Sequence, residues 1–468
     1  MIRAENGQIK AESVFLFLAI AILTGLGAFL VTEVSIYTSL LVIVIFVLVI
    51  TSFLSAQVAL YLLIASMLLS PEFIVGDLMG KGTGGRGVTF RLDDFLLIVI
   101  GLGWFARTAV KKELGLFLKT PLNGPIAYYI VVCLVSTLIG FAMGRLNLMT
   151  GLFYVLKYFE YFIIYFMVAN YLRDKEQIRH FIMAMLVICL VICVIAILQI
   201  PAGGRVTAPF EGEMGEPNTL GGYLVLMLSI TLGLLVTSDS MKLKALIGVL
   251  VVLIAISLLA TLSRSSWLTV VPMLLTLIYF SKKKLVIIVP LIIIALISPF
   301  LMPKAVQERA MFTVTQRREM GQIEVGGVRI DTSTSARLNS WKKVLTKDFI
   351  KHPIFGYGVT GYGFVDAQYP RVLVETGILG LIAFLALIFS IYRHALSTYR
   401  NTSDPFLSGI SLGYMAGFVA MLVHAIGTNT FVIVRIMEPF WFLTAIIIMI
   451  PTIEVSEVEA RADLNAKA

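Results

Sequence analysis

The stretch LKALIGVLVVLIAISLLATLSRSSWLTVVPMLLTLIYF, residues 243–280, decides the fold. It holds two apolar runs, 243–262 and 265–280, parted only by a short polar break at Arg264. The hydrocarbon core of a bilayer takes about 20 mainly apolar residues per helical crossing. Two runs of that order in succession predict two membrane-spanning helices with an arginine at the turn between them.

Outward from this pair, similar runs fall at 13–32, 36–53, 54–71, 92–110, 124–143, 152–171, 178–200, 218–237, 285–302, 372–393, 406–426 and 431–450. The total is about fourteen, or twelve to thirteen if the runs that abut near Ser55 form one broken or re-entrant element. Hydrophobic residues make up 59% of the 468 and charged ones 14%, which excludes a soluble globular protein of this size. The expected fold class is therefore all-α, a polytopic integral membrane protein. Its expected parts are a transmembrane bundle over 1–302, a long outer-face loop with short helices over 303–371, C-terminal transmembrane helices over 372–451, and a cytoplasmic, disordered tail over 452–468. The run from Val14 to Val31 is long for a signal-peptide core and lacks a small-x-small cleavage site, so it reads as a retained first span. Cys133, Cys189 and Cys193 all fall in apolar runs and read as packing residues.

Lysine sets the orientation. Lys111, Lys112, Lys119, Arg173, Lys175, Arg179, Lys242, Lys244, Lys282 to Lys284, Arg393 and Arg400 all follow even-numbered spans. The positive-inside rule then places these connections, and with them both termini, in the cytoplasm. The excess of 37 Lys and Arg over 28 Asp and Glu reports this topology, and no aromatic-interleaved basic domain suggests nucleic-acid binding.

The opposite face receives Arg86, Arg91, Arg145, Arg205, Arg309, Arg317, Arg318, Arg329 and Arg337, with Arg264 and Arg435 at span ends. Positive charge there runs against topology, and contact with solvent or lipid headgroups is the plain explanation for any one of them. Arginine is also a permanent cation whose planar fork matches phosphate oxygens two at a time. Arg264 either snorkels to the interface or lines a polar cavity. Arg337 and Trp341, four residues apart in SARLNSWKKVL, share one face of a helix that lies along the membrane or beside a site.

HPIFGYGVTGYGF follows, with glycines at 356, 358, 361 and 363. No βαβ unit accompanies it, so it reads as a tight turn that positions neighbours and not as a nucleotide loop. Asp366, Glu375, Glu211, Glu213 and Glu216 are either solvated loop residues or candidates to take a proton from an acceptor hydroxyl. Lys157 and Glu160 lie three apart inside a span and read as a self-neutralising pair. His424, near the outer end of its span, reads as a hydrogen-bonded packing residue. No metal or cofactor site is expected.

TLSRSSWL at a span end, the long loop, RLNSW, HPIFGYGVTGYGF and YPRVLVETGILGL together resemble the O-antigen ligase and polymerase superfamily of bacterial envelope enzymes. The motif-bearing part covers roughly 218–387, and its motifs are specific to the superfamily but not to one member. The resemblance implies a metal-independent glycosyltransferase of the inner membrane that uses undecaprenyl-diphosphate-linked glycan on the outer, periplasmic face, without a cofactor. It implies that Arg264 and Arg337 are the span-end and loop arginines at the reaction centre and that Arg205 is a third; Tyr369 and Glu211 are further expected contacts of the diphosphate and glycan. Trp341, Gly356, Gly358, Glu375, Lys157, Glu160 and His424 are expected to support it. The ligases carry a histidine about nine residues before the Glu-x-Gly that opens the next span; here that position is Asp366, an acid in the place of the acceptor-activating base. This departure points to a polymerase of lipid-linked repeat units, for O-antigen or exopolysaccharide. A ligase acting on a lipid or protein acceptor is the alternative within the superfamily, and a lipid-linked oligosaccharide flippase the alternative outside it. A transporter needs ionisable groups at the midplane, whereas these crowd one face. Expected partners are membrane lipids and other assembly proteins, such as a flippase or chain-length regulator.

Overall fold

In a computed structural model of the protein, residues 55–75, 88–91, 94, 96–101, 119–211 and 215–467 are described. The runs at 13–32 and 36–53, most of that at 92–110, and Arg86, Lys111, Lys112 and Glu213 lie outside them. The chain divides into two units, residues 1–63 with 92–116 and residues 64–91 with 117–468. In the first, residues 56–63 and 96–101 are helical.

Helix α1 (Ala56–Leu69) ends in the second unit and is followed there by a two-stranded antiparallel ladder, β1 (Glu72–Val75) with β2 (Val88–Arg91), in which Glu72 faces Arg91. Then come α2 (Asn123–Ala142), α3 (Leu148–Tyr171), α4 (Lys175–Gln199), α5 (Pro217–Thr237), α6 (Met241–Ala260), α7 (Arg264–Phe280) and α8 (Lys284–Leu301). Polar caps start several of them: Asn147 accepts from the amide of Met149 at 2.9 Å and Asp174 from that of Gln177 at 2.8 Å. Residues 303–371 hold α9 (Lys304–Thr315), a short hairpin of β3 (Glu324–Val325) and β4 (Val328–Arg329), and α10 (Thr332–Lys343). A π-helical turn, Val344–Asp348, and one α-turn, Phe349–Lys351, complete the segment before the glycine-rich loop. The chain closes with α11 (Gln368–Asn401), α12 (Pro405–Gly427) and α13 (Val434–Lys467).

Among the described residues, eight helices are long and apolar enough to cross a membrane: α2 to α6, α11, α12 and α13. The protein is an all-α, multi-pass membrane protein. Successive helices reverse direction, so the short links after residues 171, 237, 280 and 401 share one end of the bundle. Ion pairs there join Lys283 to Asp239 at 3.3 Å and Arg179 to Asp404 at 3.8 Å. The arginine-bearing connections meet at the other end.

The bundle is tightest where α5 meets α12. Gly409, Gly413 and Gly417 form a small-residue stripe at four-residue spacing. A Cβ on Gly413 would stand 2.5 Å from the Ser229 carbonyl, and one on Gly233 2.3 Å from that of Gly409. Lipid and leucine are equally apolar, so close backbone approach, not hydrophobic burial, drives such packing.

The tail is a correction to expectation. Residues 452–467 continue α13 as helix in place of a disordered strand of chain. The segment is rich in the helix formers Glu and Ala, and Lys175 anchors it by ion pairs to Glu457 at 3.2 Å and Glu454 at 3.9 Å.

Candidate active site

The site starts at the turn from α6 to α7. Three residues, Thr261 to Ser263, reverse the chain, and a reversal that short draws Leu262 into the left-handed region at φ 51°. Ser263 caps α7, accepting from the Ser266 amide, and Arg264 opens the helix. Two further arginines grip this turn by consecutive carbonyls: Arg205 donates to Thr261 at 3.3 Å and Arg309 to Leu262 at 3.2 Å.

Arg264 makes a two-pronged pair with Asp331, at 3.0 and 2.9 Å, and also donates to the hydroxyls of Ser333, at 3.1 Å, and Thr313. Asp331 is in turn the cap of α10, accepting from the amides of Ser333 and Thr334. Burial alone would raise its carboxyl, but Arg264 and the Ser333 and Thr334 donors outweigh that and hold it well below the carboxylate range. This arrangement answers the choice between snorkelling and cavity: Arg264 reaches across to the 303–371 segment and ties it to the bundle.

Arg337, on α10, sends Nε and Nη2 to one oxygen of Asp366, Oδ2, at 3.1 and 3.0 Å. The pair is more open than Arg264 with Asp331: 24% of the Arg337 side chain and 38% of that of Asp366 stay accessible, against 18% and 0%. Burial lowers the Arg205 guanidinium, followed by repulsion from Arg309, Arg264 and Arg337; burial and then Arg264 lower Arg309. Phe312 lies beneath both Arg264 and Arg309, with ring centroid distances of 5.8 and 5.3 Å. Four arginines thus converge at one end of the bundle. Among the described residues, Arg264 and Arg337 are ion-paired to carboxylates, while Arg205 and Arg309 donate to backbone carbonyls, which makes the locus suited to an added anion.

The glycine loop braces the Asp366 side. Tyr357 and Gly358 donate their amides to the carbonyls of Val374 and Glu375, at 2.9 and 2.8 Å, and Ile378 donates to Pro353 at 2.8 Å. These bonds replace helical ones where α11 kinks at Gly377, whose φ of 67° and ψ of −166° suit glycine alone. The Glu375 carboxylate accepts from Arg371 at 3.2 Å and from the amide of Thr360 at 3.4 Å. Arg145 donates to the Gly356 carbonyl at 3.2 Å. Gly356, Gly358 and Glu375 are therefore parts of a rigid bracket for the turn that ends in Asp366.

The remaining expected residues are placed as follows. Tyr369 donates its phenol to the Leu422 carbonyl at 2.8 Å. Glu211 accepts from the amide of Glu216 at 3.0 Å and lies 3.7 Å from Arg435. Arg435 is fully buried and donates to the carbonyls of Leu68, Ser70 and Pro209, so it clamps two segments, 68–70 and the one at Pro209, to its own helix. Lys157 and Glu160 form the expected pair at 3.0 Å. Trp341 is half-buried on α10, and His424 is buried between Ser266 and Thr430.

Among the described residues three non-glycine residues have left-handed backbones, Phe210, Leu262 and Thr360, and each is pinned, directly or through its neighbours, by an ionisable side chain. Arg435 holds the neighbours of Phe210 on both sides, Arg309 holds Leu262, and Glu375 holds Thr360. All three loops bear candidate residues or border them, as stored strain at functional sites leads one to expect. Sequence reasoning passed over Asp331 and gave Arg309 no role of its own. The run DTSTSARLNSW does carry a signal, an Asp followed by Ser and Thr ahead of a helix, which is an N-cap pattern.

Residues 249–385 match the family model for O-antigen ligase. The match takes in Arg264, Arg309, Asp331, Arg337, Asp366 and Glu375, while Arg205 and His424 lie outside it. No curated protein matches the chain. The resemblance read from TLSRSSWL through ETGILGL thus falls on the matched stretch, and the chain carries the domain of the O-antigen ligase and polymerase superfamily.

Proposed function

We propose that this chain, through its O-antigen ligase domain, is a polymerase that joins undecaprenyl-diphosphate-linked glycan repeat units. The observation that carries the reading is the arginine cluster around one strained turn, facing a half-open Arg337–Asp366 pair. Arg205, Arg264 and Arg309 hold the diphosphate of the donor. Arg337 keeps Asp366 oriented by occupying Oδ2, which leaves Oδ1 to receive the proton of an acceptor hydroxyl. The acceptor oxygen bonds to the anomeric carbon, the bond from that carbon to the phosphate oxygen breaks, and the lipid diphosphate departs with its charge met by guanidinium groups. The lipid diphosphate is already an activated leaving group, so the reaction draws on no nucleotide or metal.

Under the positive-inside reading the enzyme lies in the bacterial inner membrane, with both termini in the cytoplasm and this site on the outer face. Membrane lipids surround it, and assembly proteins that deliver repeat units or set chain length are its expected partners. A ligase would use the same two halves. Asp366, in the place of the ligases' histidine, favours the polymerase. Incubation of the purified protein with a defined lipid-linked repeat unit separates them: a ladder of products is expected, and a single transfer to an added lipid or protein acceptor would mean a ligase. Retained transfer in both Arg264→Ala and Arg337→Ala would overturn the catalytic reading of these arginines, and a purified wild-type protein that forms no product with any acceptor would leave the flippase.

A further inference from the structure

The two halves of the site are joined underneath by a buried chain of hydrogen bonds. Asn429 donates its side-chain amide to the carbonyl of Val365, the residue before Asp366, at 2.7 Å. Next to it, the Thr430 hydroxyl meets His424 Nδ1 at 2.8 Å. On the far side of the ring, His424 Nε2 meets the Ser266 hydroxyl at 3.2 Å. Ser266 continues to Ser263, the residue before Arg264, at 2.8 Å, and Ser263 donates to Asn218 at 2.7 Å. A parallel tie runs from the Phe431 amide to Gln368 at 3.1 Å. The chain therefore begins one residue before Asp366 and ends one residue before Arg264.

Its members are almost wholly removed from solvent: Ser266, His424 and Thr430 are 0% exposed, Ser263 1% and Asn429 7%. Two glycines make room for it. A Cβ on Gly221 would stand 2.2 Å from the Ser266 hydroxyl, and one on Gly222 3.3 Å from the imidazole. A neutral imidazole donates from one nitrogen and accepts at the other, and hydroxyls adapt to either role, so one side chain satisfies both neighbours. The ring is rigid and cannot shorten. Chemistry between a held diphosphate and a held acceptor depends on separations kept to well under 1 Å.

We infer that His424 is a positioning residue, a strut that sets the distance between the Arg264 turn and the Asp366 turn for glycosyl transfer. It touches neither substrate; it acts through Ser266 on one side and Thr430 on the other. The kinetic part of this inference rests on the proposed transferase activity, and the structural part does not.

The two contacts can be removed separately. Glutamine places a polar end near the Nε2 position and asparagine near the Nδ1 position. His424→Gln should keep the Ser266 side, His424→Asn the Thr430 side, and His424→Leu neither. Amide hydrogen exchange of the full-length protein in lipid nanodiscs reads each side directly. The Leu variant is expected to speed exchange in residues 261–267 and in 362–368, the Gln variant only in the second and the Asn variant only in the first. With the lipid-linked donor, kcat should fall about tenfold or more in the Leu variant while KM moves less than about twofold, as a spacing defect and not a binding defect would. Exchange unchanged at both turns in a folded Leu variant, or the same response from all three variants, overturns the strut. A wild-type protein with no transferase activity would sink the proposed function, while the exchange pattern still decides the strut.

Discussion

Arg337 gives two bonds to a single oxygen of Asp366, at 3.1 and 3.0 Å, and among the described residues no hydrogen bond engages the other oxygen of that carboxylate. A guanidinium bound across both oxygens, as Arg264 is to Asp331, would lock the acid into a structural role. One-oxygen pairing instead fixes the carboxylate in place with a lone pair directed elsewhere. Two arginine–aspartate pairs less than a domain apart thus have different geometries, and the proposed roles follow from the difference.

Replacing Asp366 tests the base. Asp366→Asn retains an oxygen for Arg337 and should fold normally, yet transfer is expected to fall about 10²- to 10⁴-fold, the range a general base contributes. Asp366→His places the ligases' residue type at this position and should restore part of the rate. An imidazole works as a base only when neutral, so that activity should fade as the pH drops below about 6.5. The test is a pH–rate profile of the three proteins; an Asn variant with wild-type rate would remove Asp366 from the mechanism.

Asp331 should matter for stability more than for chemistry. Its carboxyl is lower in the folded protein than in the unfolded chain, because Arg264 and the α10 cap donors overcome the effect of burial. A depressed folded value means the pair stabilises fully above the unfolded carboxylate range, about pH 3.9, and loses that contribution as pH falls further. Asp331→Asn should therefore lower the melting temperature in detergent at pH 7 and at pH 5 alike. The gap to wild type should narrow only below about pH 4. A gap that closes between pH 7 and 5 would mean another group is responsible.

Among the described residues no carboxylate is hydrogen-bonded to Arg205 or Arg309, whose hydrogen bonds go to the carbonyls of Thr261 and Leu262, although Glu216 and Asp331 offset part of their charge from a distance. Arg205→Ala or Arg309→Ala should raise KM for the lipid-linked donor about tenfold, the worth of a charge-assisted hydrogen bond, and weaken inhibition by inorganic pyrophosphate in parallel. Each substitution also frees a carbonyl of the α6–α7 turn, Thr261 for Arg205 and the left-handed Leu262 for Arg309, so both should cost some stability. Unchanged pyrophosphate inhibition in both variants would place the diphosphate elsewhere.

Much of this was legible in the residues. Apolar runs give α2 to α8 and α11 to α13 nearly as they stand, because span length is a property of the bilayer and not of tertiary contacts. Arg264, Arg337, Asp366 and Glu375 stand out as charges against a greasy background, but their partners do not. Asp331 is one polar residue among many in a polar loop, and nothing short of the fold brings it 67 positions back to Arg264. Pairing of that range is set by tertiary packing, as is the clamp at Arg435. SGISLGYMAGF carries three glycines at four-residue spacing, a packing signature, but only the fold identifies α5 as the partner. The tail misled because its charges suggest solvation, while their spacing lets Lys175 hold them as helix.

The glycines of the loop and kink should divide sharply on substitution. A Cβ at Gly377 would fall 2.2 Å from the Ile354 carbonyl, and one at Gly356 2.6 Å from that of Glu375; both positions also have positive φ. Alanine there meets backbone on both counts, and backbone strain of this kind costs about 1–3 kcal/mol before any clash is counted. At Gly363 a Cβ would meet nothing within 4 Å, and φ is ordinary. Gly356→Ala and Gly377→Ala are thus expected to lower melting temperature and transfer together, because the bracket they form carries the turn to Asp366. Gly363→Ala, in the same glycine-rich run, should leave both unchanged. If all three variants behave alike, the run serves as a flexible hinge, and the rigid bracket under Asp366 is wrong.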